Sequence, residues 1–418
     1  MTDLKKNIPK LRFPEFESEW EEKKLSDLGS YSKSYSFSRD VEGEGKVHHI
    51  HYGDIHSKLP SKISDINLLP TIKESKDFEF LQKGDIIFAD ASEDYKDLGK
   101  AIMVDIDEDN IIAGLHTHVF RPNLQVVSEF LMYYTKTLNY FKFIKRQGTG
   151  ISVLGISKKN LSNFILGAPE YKEQQKIGDF FSKLDRQIEL EEQKLALLEE
   201  QKKGYMQKVF SQELRFKDDN GNDYPEWEEK KLSDLGSYSK SYSFSRDVEG
   251  EGKVHHIHYG DIHSKLPSKI SDINLLPTIK ESKDFEFLQK GDIIFADASE
   301  DYKDLGKAIM VDIDEDNIIA GLHTHVFRPN LQIVSEFLMY YTKTLNYFKF
   351  IKRQGTGISV LGISKKNLSN FVLGLPERRE QQKIGDFFSK LDQQIELQGQ
   401  KIESLKQRKK GLLQKMFV

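Results

Sequence analysis

The chain is written twice, and this constrains its fold more than any other feature of the sequence. Trp20 to Gly167 recurs as Trp227 to Gly374 at a constant offset of 207, and only Val126, which becomes Ile333, and Ile165, which becomes Val372, differ. Both exchanges are apolar and nearly isosteric. Farther along the match loosens but holds register: Glu173 to Phe181 returns as Glu380 to Phe388. Solenoid units run to roughly 20 to 50 residues, so a repeat of this length is a whole domain able to bury its own core. A recent duplication without consequence would explain the pattern. The reading with functional content is that one recognition event is performed twice, at a fixed separation.

Composition narrows the chemistry. The 418 residues include no cysteine, which excludes disulfides, thiolate zinc sites, iron-sulfur clusters and cysteine nucleophiles together. Charged residues make up 31% and apolar residues 38%, and no apolar run approaches the roughly 20 residues needed to cross a bilayer. Met1 to Phe16 is polar and broken by Pro9 and Pro14, unlike a secretory signal, so a cytoplasmic location is expected. With 62 basic and 66 acidic residues the net charge is -4, so any contact with nucleic acid must be local or shared with a basic partner.

Each copy opens with short β-rich stretches, Lys46–Ile55, Asp85–Ala91, Lys100–Ile106 and Ile111–Arg121, separated by turn signals. The apolar spacing of Phe130, Leu131, Tyr134, Leu138, Phe141 and Ile144 predicts one helix over Ser128–Arg146, stopped at Gln147-Gly148-Thr149-Gly150. Ser157 is a candidate N-cap, with a strand beyond it at Phe164–Leu166 and a break at Pro169. The globular part is therefore α+β.

The segment beyond Pro169 differs in kind. Ile177, Phe181, Leu184, Ile188, Glu191, Leu195, Leu198, Lys202, Tyr205 and Val209 alternate steps of four and three, a heptad seam that requires a partner helix. The second copy keeps the frame from Ile384 to Met416, with polar residues at matching places, Glu191 with Gln398 and Lys202 with Lys409. A helix over Glu173 to Phe210 is about 57 Å long and cannot bury its stripe against its own small domain. The expected architecture is two near-identical globular domains separated by two long helices packed as an antiparallel coiled coil. The boundaries read as residues 1–168, 169–213, 214–375 and 376–418.

Five segments stand out in this frame: Trp20-Glu-Glu-Lys-Lys-Leu25, Lys83-Gly-Asp-Ile-Ile-Phe88, Arg146-Gln-Gly-Thr-Gly150, Pro376-Glu-Arg-Arg-Glu-Gln-Gln-Lys-Ile-Gly385 and the closing Lys409-Lys-Gly-Leu-Leu-Gln-Lys-Met-Phe417. In them, and in their order repeated twice, the chain resembles the specificity subunit of a Type I restriction-modification system. The likeness covers essentially the whole chain. The resemblance implies two target recognition domains, and a non-catalytic subunit that seats two methyltransferase subunits and brings them, with restriction (translocase and endonuclease) subunits, to double-stranded DNA. S-adenosylmethionine and ATP with magnesium are then expected on those partners, with no cofactor on this chain. The sequence has no Asn/Asp-Pro-Pro-Tyr motif, no Walker loop and no dinucleotide fingerprint after a strand. The family's two domains usually differ; these nearly coincide, so an interrupted palindrome is the expected target.

Base reading needs donors and acceptors at groove edges, with basic side chains on phosphates. Three loop regions and a strand supply them. The first is Tyr31–Arg39 with Lys33 and Arg39, repeated as Lys240 and Arg246. The histidine-rich His48–Tyr52 offers His51 and Tyr52, with His116 and His118 nearby, repeated as His258, Tyr259, His323 and His325. These spacings match no standard zinc pattern, and groove-facing or hydrogen-bonded histidines fit better; no metal is expected. Ala91–Lys96 offers Ser92, Tyr95 and Lys96, repeated as Ser299, Tyr302 and Lys303. Arg146, Gly148 and Thr149, repeated as Arg353, Gly355 and Thr356, place a guanidinium and backbone amides on one tight loop suited to phosphate. A coiled-coil interaction scaffold with duplicated ligand-binding domains is the alternative from another class.

Overall fold

Two apolar runs, Ile86–Ala89 and Ala101–Val104, are buried on both faces and set the core of the first repeat. The computed structural model describes residues 7–74, 76–281 and 284–418. It divides into two units, Met1–Gln193 with Gln400–Val418, and Lys194–Gly399.

In the first unit the strands are β1 (Glu21–Lys24), β2 (Gly29–Ser32), β3 (Glu42–Ile50), β4 (Lys62–Ile63), β5 (Thr71–Ile72), β6 (Ile86–Ala89), β7 (Ala91–Ser92), β8 (Ala101–Val104), β9 (Ile111–Ala113), β10 (Thr117–Pro122), β11 (Leu154–Gly155) and β12 (Ile165–Ala168). The helices are α1 (Tyr52–Ser57), α2 (Ser128–Tyr134), α3 (Leu138–Gln147), α4 (Lys158–Ser162) and α5 (Tyr171–Phe210), the last of which continues into the second unit. A five-stranded sheet runs β2-β10-β6-β8-β4, a second runs β5-β3-β9, and β1-β12 and β11-β7 are two-stranded. The second unit repeats this order, with helices α6 (Tyr259–Ser264), α7 (Ser335–Tyr341), α8 (Leu345–Gln354), α9 (Lys365–Ser369) and α10 (Arg378–Met416).

The alternation of β6 divides the first unit's core. Ile86 and Phe88 face α2, while Ile87 and Ala89 face Ile50, Ile55 and Leu69 on the other side. The single helix expected over Ser128–Arg146 is two. Phe130 to Tyr134 are all buried, so beyond its first two residues α2 has no polar face, and the Thr137 hydroxyl accepts from the Tyr140 amide to cap α3 as a separate helix. The strand expected over Ile111–Arg121 is likewise split, by a turn in which His116 takes φ +56°. The strand expected to reach Ile55 ends at Ile50, where His51 caps α1.

The long helices carry the expected seam. Ile177, Phe181, Leu184 and Ile188 are buried. Within the first unit Glu191 pairs with Lys401 at 2.5 Å and Asp185 pairs with Lys409, so numbers rising on α5 meet numbers falling on α10. The two helices are antiparallel. In the second unit Lys202 pairs with Asp392, the equivalent of the Asp185–Lys409 pair. Of the matched polar seam positions, Glu191, Lys202 and Lys409 thus each bond an oppositely charged group of the facing helix. Each helix end is plugged into a domain by an aromatic ring: Phe417 against Phe130, Tyr134 and Phe181, and Phe210 against Phe337, Tyr341 and Phe388.

Candidate nucleic-acid interface

The two-residue strand β7 ties the candidate residues together, because it joins the histidine-rich turn to the glycine loop. Asp90, just before β7, accepts from His116 Nδ1 at 3.1 Å and lies 3.3 Å from His118 Nδ1, while its carbonyl accepts from the Ile156 amide. Ala91 and Ser92 then pair with Gly155 and Leu154 of β11. Thr149 closes the loop on Gly155 through two backbone hydrogen bonds of 3.0 and 2.7 Å. Residues far apart in sequence thereby line one edge. In the second unit, an open cleft of about 490 Å³ is lined by Asp297, His323, His325, Thr356, Val360 and Ser364 among others.

Not every candidate side chain is free. Arg39 donates to the buried Asp54 at 2.8 Å, as Arg246 does to Asp261. His51 is buried, and its Nδ1 accepts from the Gly53 amide at 3.2 Å; His258 does the same with Gly260. Ser92 and Ser299 are buried and accept from the amides of Asp94 and Asp301. His118 is nearly buried, its Nε2–H donating to the Ile156 carbonyl at 2.8 Å, and His325 matches it against Ile363.

Others face outward. His116 and His323 are half exposed, held by Asp90 and Asp297 in the left-handed region, where non-glycine residues are uncommon. Tyr52 is half-buried, packed on His51 with its ring edge-on to His116 at 5.3 Å, an arrangement shared by Tyr259 and His323. Tyr95 is half-buried beside Gly148, as Tyr302 is beside Gly355. Lys33, Lys96, Arg146 and Thr149, and their copies Lys240, Lys303, Arg353 and Thr356, reach solvent.

Burial sets the charge of the interior imidazoles. His49, His51, His56 and His118 all lie below the ordinary histidine range, chiefly through desolvation, and His51 is pushed down to about 4 by burial with the Arg39 guanidinium adding to it. The His51 ring is therefore neutral at pH 7. Among the described residues no three His, Asp or Glu side chains converge where a metal ion would sit.

The sequence holds one further signal that the candidate residues leave unused. Phe130 to Pro169 contains six Lys and Arg and no Asp or Glu, in a chain of net charge -4, and Phe337 to Pro376 repeats this. Lys142, Lys145, Arg146 and Lys159 in that segment reach solvent, and among the described residues none of them pairs with a carboxylate. Other lysines of the unit that lie near the sheet do, for instance Lys62 with Asp105 and Lys83 with Asp107. Exposed cations that pair with no carboxylate of the described residues occur elsewhere in the unit, Lys33 and Lys96 among them, but here they stand in a segment that has no acid at all.

Known proteins are similar to this chain in sequence and fold. The family model described as the Type I restriction modification DNA specificity domain matches residues 17–200 and again 224–407. A Methanocaldococcus jannaschii protein named as the MjaVIII Type I restriction enzyme specificity subunit is 23% identical over 98% of this chain and 93% of its own length. The Haemophilus influenzae HindI specificity subunit is 31% identical over 46% of this chain and 41% of its length. The crystal structure of a Type I restriction-modification S subunit from M. genitalium superposes with a TM-score of 0.60 at 17% identity, covering 98% of this chain and 99% of that one, which shows a common fold.

Proposed function

The chain belongs to the Type I restriction modification DNA specificity family, and from that premise we propose that it selects the DNA target of a Type I restriction-modification complex without catalysing a reaction itself. The observation that carries this reading is one reading edge present twice, each copy flanked by the same acid-free, cation-rich segment. Polyanionic duplex is the partner such a segment fits.

In this reading Arg146, Lys33, Lys96 and the Thr149 loop engage phosphates and fix register, while His116, Tyr52 and Tyr95 meet base edges. Arg39, His51, Ser92, His118 and Gly148 hold those groups in place. The second copy does the same with Arg353, Lys240, Lys303, Thr356, His323, Tyr259 and Tyr302. Two methyltransferase subunits sit on the long helices and methylate adenine with S-adenosylmethionine, and restriction subunits supply ATP- and magnesium-dependent cleavage in the cytoplasm. Identical readers confronting opposite strands call for an interrupted palindrome. No helix is long and apolar enough to cross a membrane among the described residues.

The test is adenine-methylation mapping by long-read sequencing in a methyl-free host that expresses this chain with its methyltransferase subunit. A gapped palindromic motif is the expected result. A gapped asymmetric motif would retain the role and remove the equivalence of the readers; no new methylation from a complex that forms would overturn the role.

A further inference from the structure

Ile151 and Ile358 are the anomaly of the candidate interface. Each is essentially fully exposed, at 99% and 100%, whereas Ile86 and Ile87 of the sheet, and their copies, are buried. The neighbouring Val153 and Val360 are also more than half exposed. Isolated surface hydrophobes are ordinary, but these sit on a built projection. The backbone pair between Thr149 and Gly155 closes the loop, and Gly150 takes φ +126°, where a Cβ would lie 2.0 Å from the Val153 carbonyl oxygen. Only glycine permits that turn, which lifts the next residue away from the unit. Leu154, buried at the loop's return, anchors it. A closed loop thereby holds a β-branched apolar side chain in solvent at its tip.

Its surroundings identify the occupant. In the second unit the loop forms one wall of the cleft lined by His323 and His325, with Val360 in that wall. The tip lies within the acid-free segment, between exposed Lys145 and Arg146 on one side and Lys159 on the other. A protein interface would bring apolar surface to such a tip without calling for an acid-free, cation-rich segment to carry it. Duplex DNA supplies both: phosphates for the cations, and between adjacent bases an apolar slot that a branched aliphatic side chain can enter.

We propose that Ile151 and Ile358 are apolar wedges, each inserted at one base step of its half-site while the flanking cations hold the phosphates. This rests on the DNA-reading role proposed above and adds to it a contact that unstacks the duplex. The wedge makes base-step deformability part of specificity, so the wedged position favours flexible pyrimidine–purine steps.

The test uses the complete complex of this chain with its methyltransferase subunit, on a duplex bearing the motif found by methylation mapping. 2-Aminopurine replaces each base of one half-site in turn, omitting the methylated adenine, which a methyltransferase unstacks on its own account. Wild type is expected to raise fluorescence at one step in each half. Ile151→Ala with Ile358→Ala should abolish that rise and weaken binding by about tenfold or more, as expected when buried methylenes are lost, and Ile→Leu at both sites should restore it. Both side chains are fully exposed, so folding is not at stake, and circular dichroism checks it. The proposal is overturned if no step responds in wild type although the duplex is bound, or if the alanine variant keeps both signal and affinity. An alanine variant that binds DNA normally but loses the methyltransferase would place the tip at a protein contact and overturn it too. Failure of the wild-type complex to bind any duplex would overturn the DNA-reading role along with it.

Discussion

The head of each long helix is locked to its domain by a buried ion pair, and the two copies of that lock differ in a way that makes a measurable forecast. Glu173 is fully buried and receives Arg12 through two hydrogen bonds of 2.7 Å each. Glu380 is equally buried and receives Arg215 at 3.2 and 2.7 Å, but also the Trp227 indole at 3.1 Å. The corresponding Trp20 indole nitrogen is buried and has no hydrogen-bond partner among the described residues. Arg12→Met leaves the Glu173 carboxylate dry and unpaired, a loss of about 3–5 kcal/mol. Arg215→Met leaves Glu380 with one hydrogen bond to a charged group, which retains about 1.5–3 kcal/mol. The first variant should therefore cost more than the second by roughly that amount. Native-state amide exchange over Glu173–Phe181 and Glu380–Phe388 reads the two heads separately, which a single unfolding curve of a two-unit protein cannot. Arg12→Met with Glu173→Leu, which removes both charges, should recover most of the loss. Equal losses of protection in the two single variants would refute the role given to the indole, and losses below about 1 kcal/mol in both would refute the claim that these carboxylates are dry.

The same geometry sets three further outcomes. Deleting residues 194–200 together with 394–400 leaves the Asp185–Lys409 and Lys202–Asp392 pairs in register but shortens each helix by about 10 Å, near three base pairs of duplex; the mapped motif should keep its half-sites and lose about three base pairs of gap, and an unchanged gap would remove helix length as the ruler. Replacing Arg146 and Arg353 by alanine should weaken binding to all sequences alike and lower the slope of log affinity against log salt by about 2, whereas a changed base preference would show that they read bases. His51 titrates near 4 in the folded chain against about 6.5 unfolded, so between those values the unfolded state binds the extra proton and stability falls as pH falls. A His51→Gln variant should therefore lose less stability than the wild type between pH 7 and 5, and equal losses of amide-exchange protection over Tyr52–Ser57 would contradict it.

The fold class and the helix pairing were legible because both rest on periodicity: a 207-residue repeat and a heptad seam survive any local irregularity. The breaks inside elements were not. Thr135-Lys136-Thr137 carries no Gly or Pro, and the helix ends there where a stretch buried all round, Phe130–Tyr134, gives way to the amphipathic α3, a difference set by packing. His116 in the left-handed region likewise has no strong sequence signal. For the candidate site, residue type and rough location were readable, but exposure was not. Ser92, His51 and Arg39 look like good donors by residue type alone and are engaged by Asp94, Gly53 and Asp54 once the turns form. The cation-rich segment was readable throughout, yet a net charge averaged over the chain hides it.

The two differences between Trp20–Gly167 and Trp227–Gly374 bear directly on the shape of the target. Val126 and Ile333 are buried in the core beside α2 and α7, and Ile165 and Val372 lie on strands paired with Glu21–Lys24 and Glu228–Lys231. Neither position belongs to the edge formed by Asp90, His116 and Thr149. Every candidate reading side chain is therefore chemically the same in both units, and so are the groups that orient it. It follows that the halves of the motif should be reverse complements, and that a change confined to one unit should break that relation on one side only. Asp90→Asn, with Asp297 left intact, removes the carboxylate that fixes the His116 ring. The methylation map should then show one altered or relaxed half-site, one unchanged half-site and the original gap. Changes in both halves would mean that the units do not read independently, and a change in neither would mean that this histidine does not read at all.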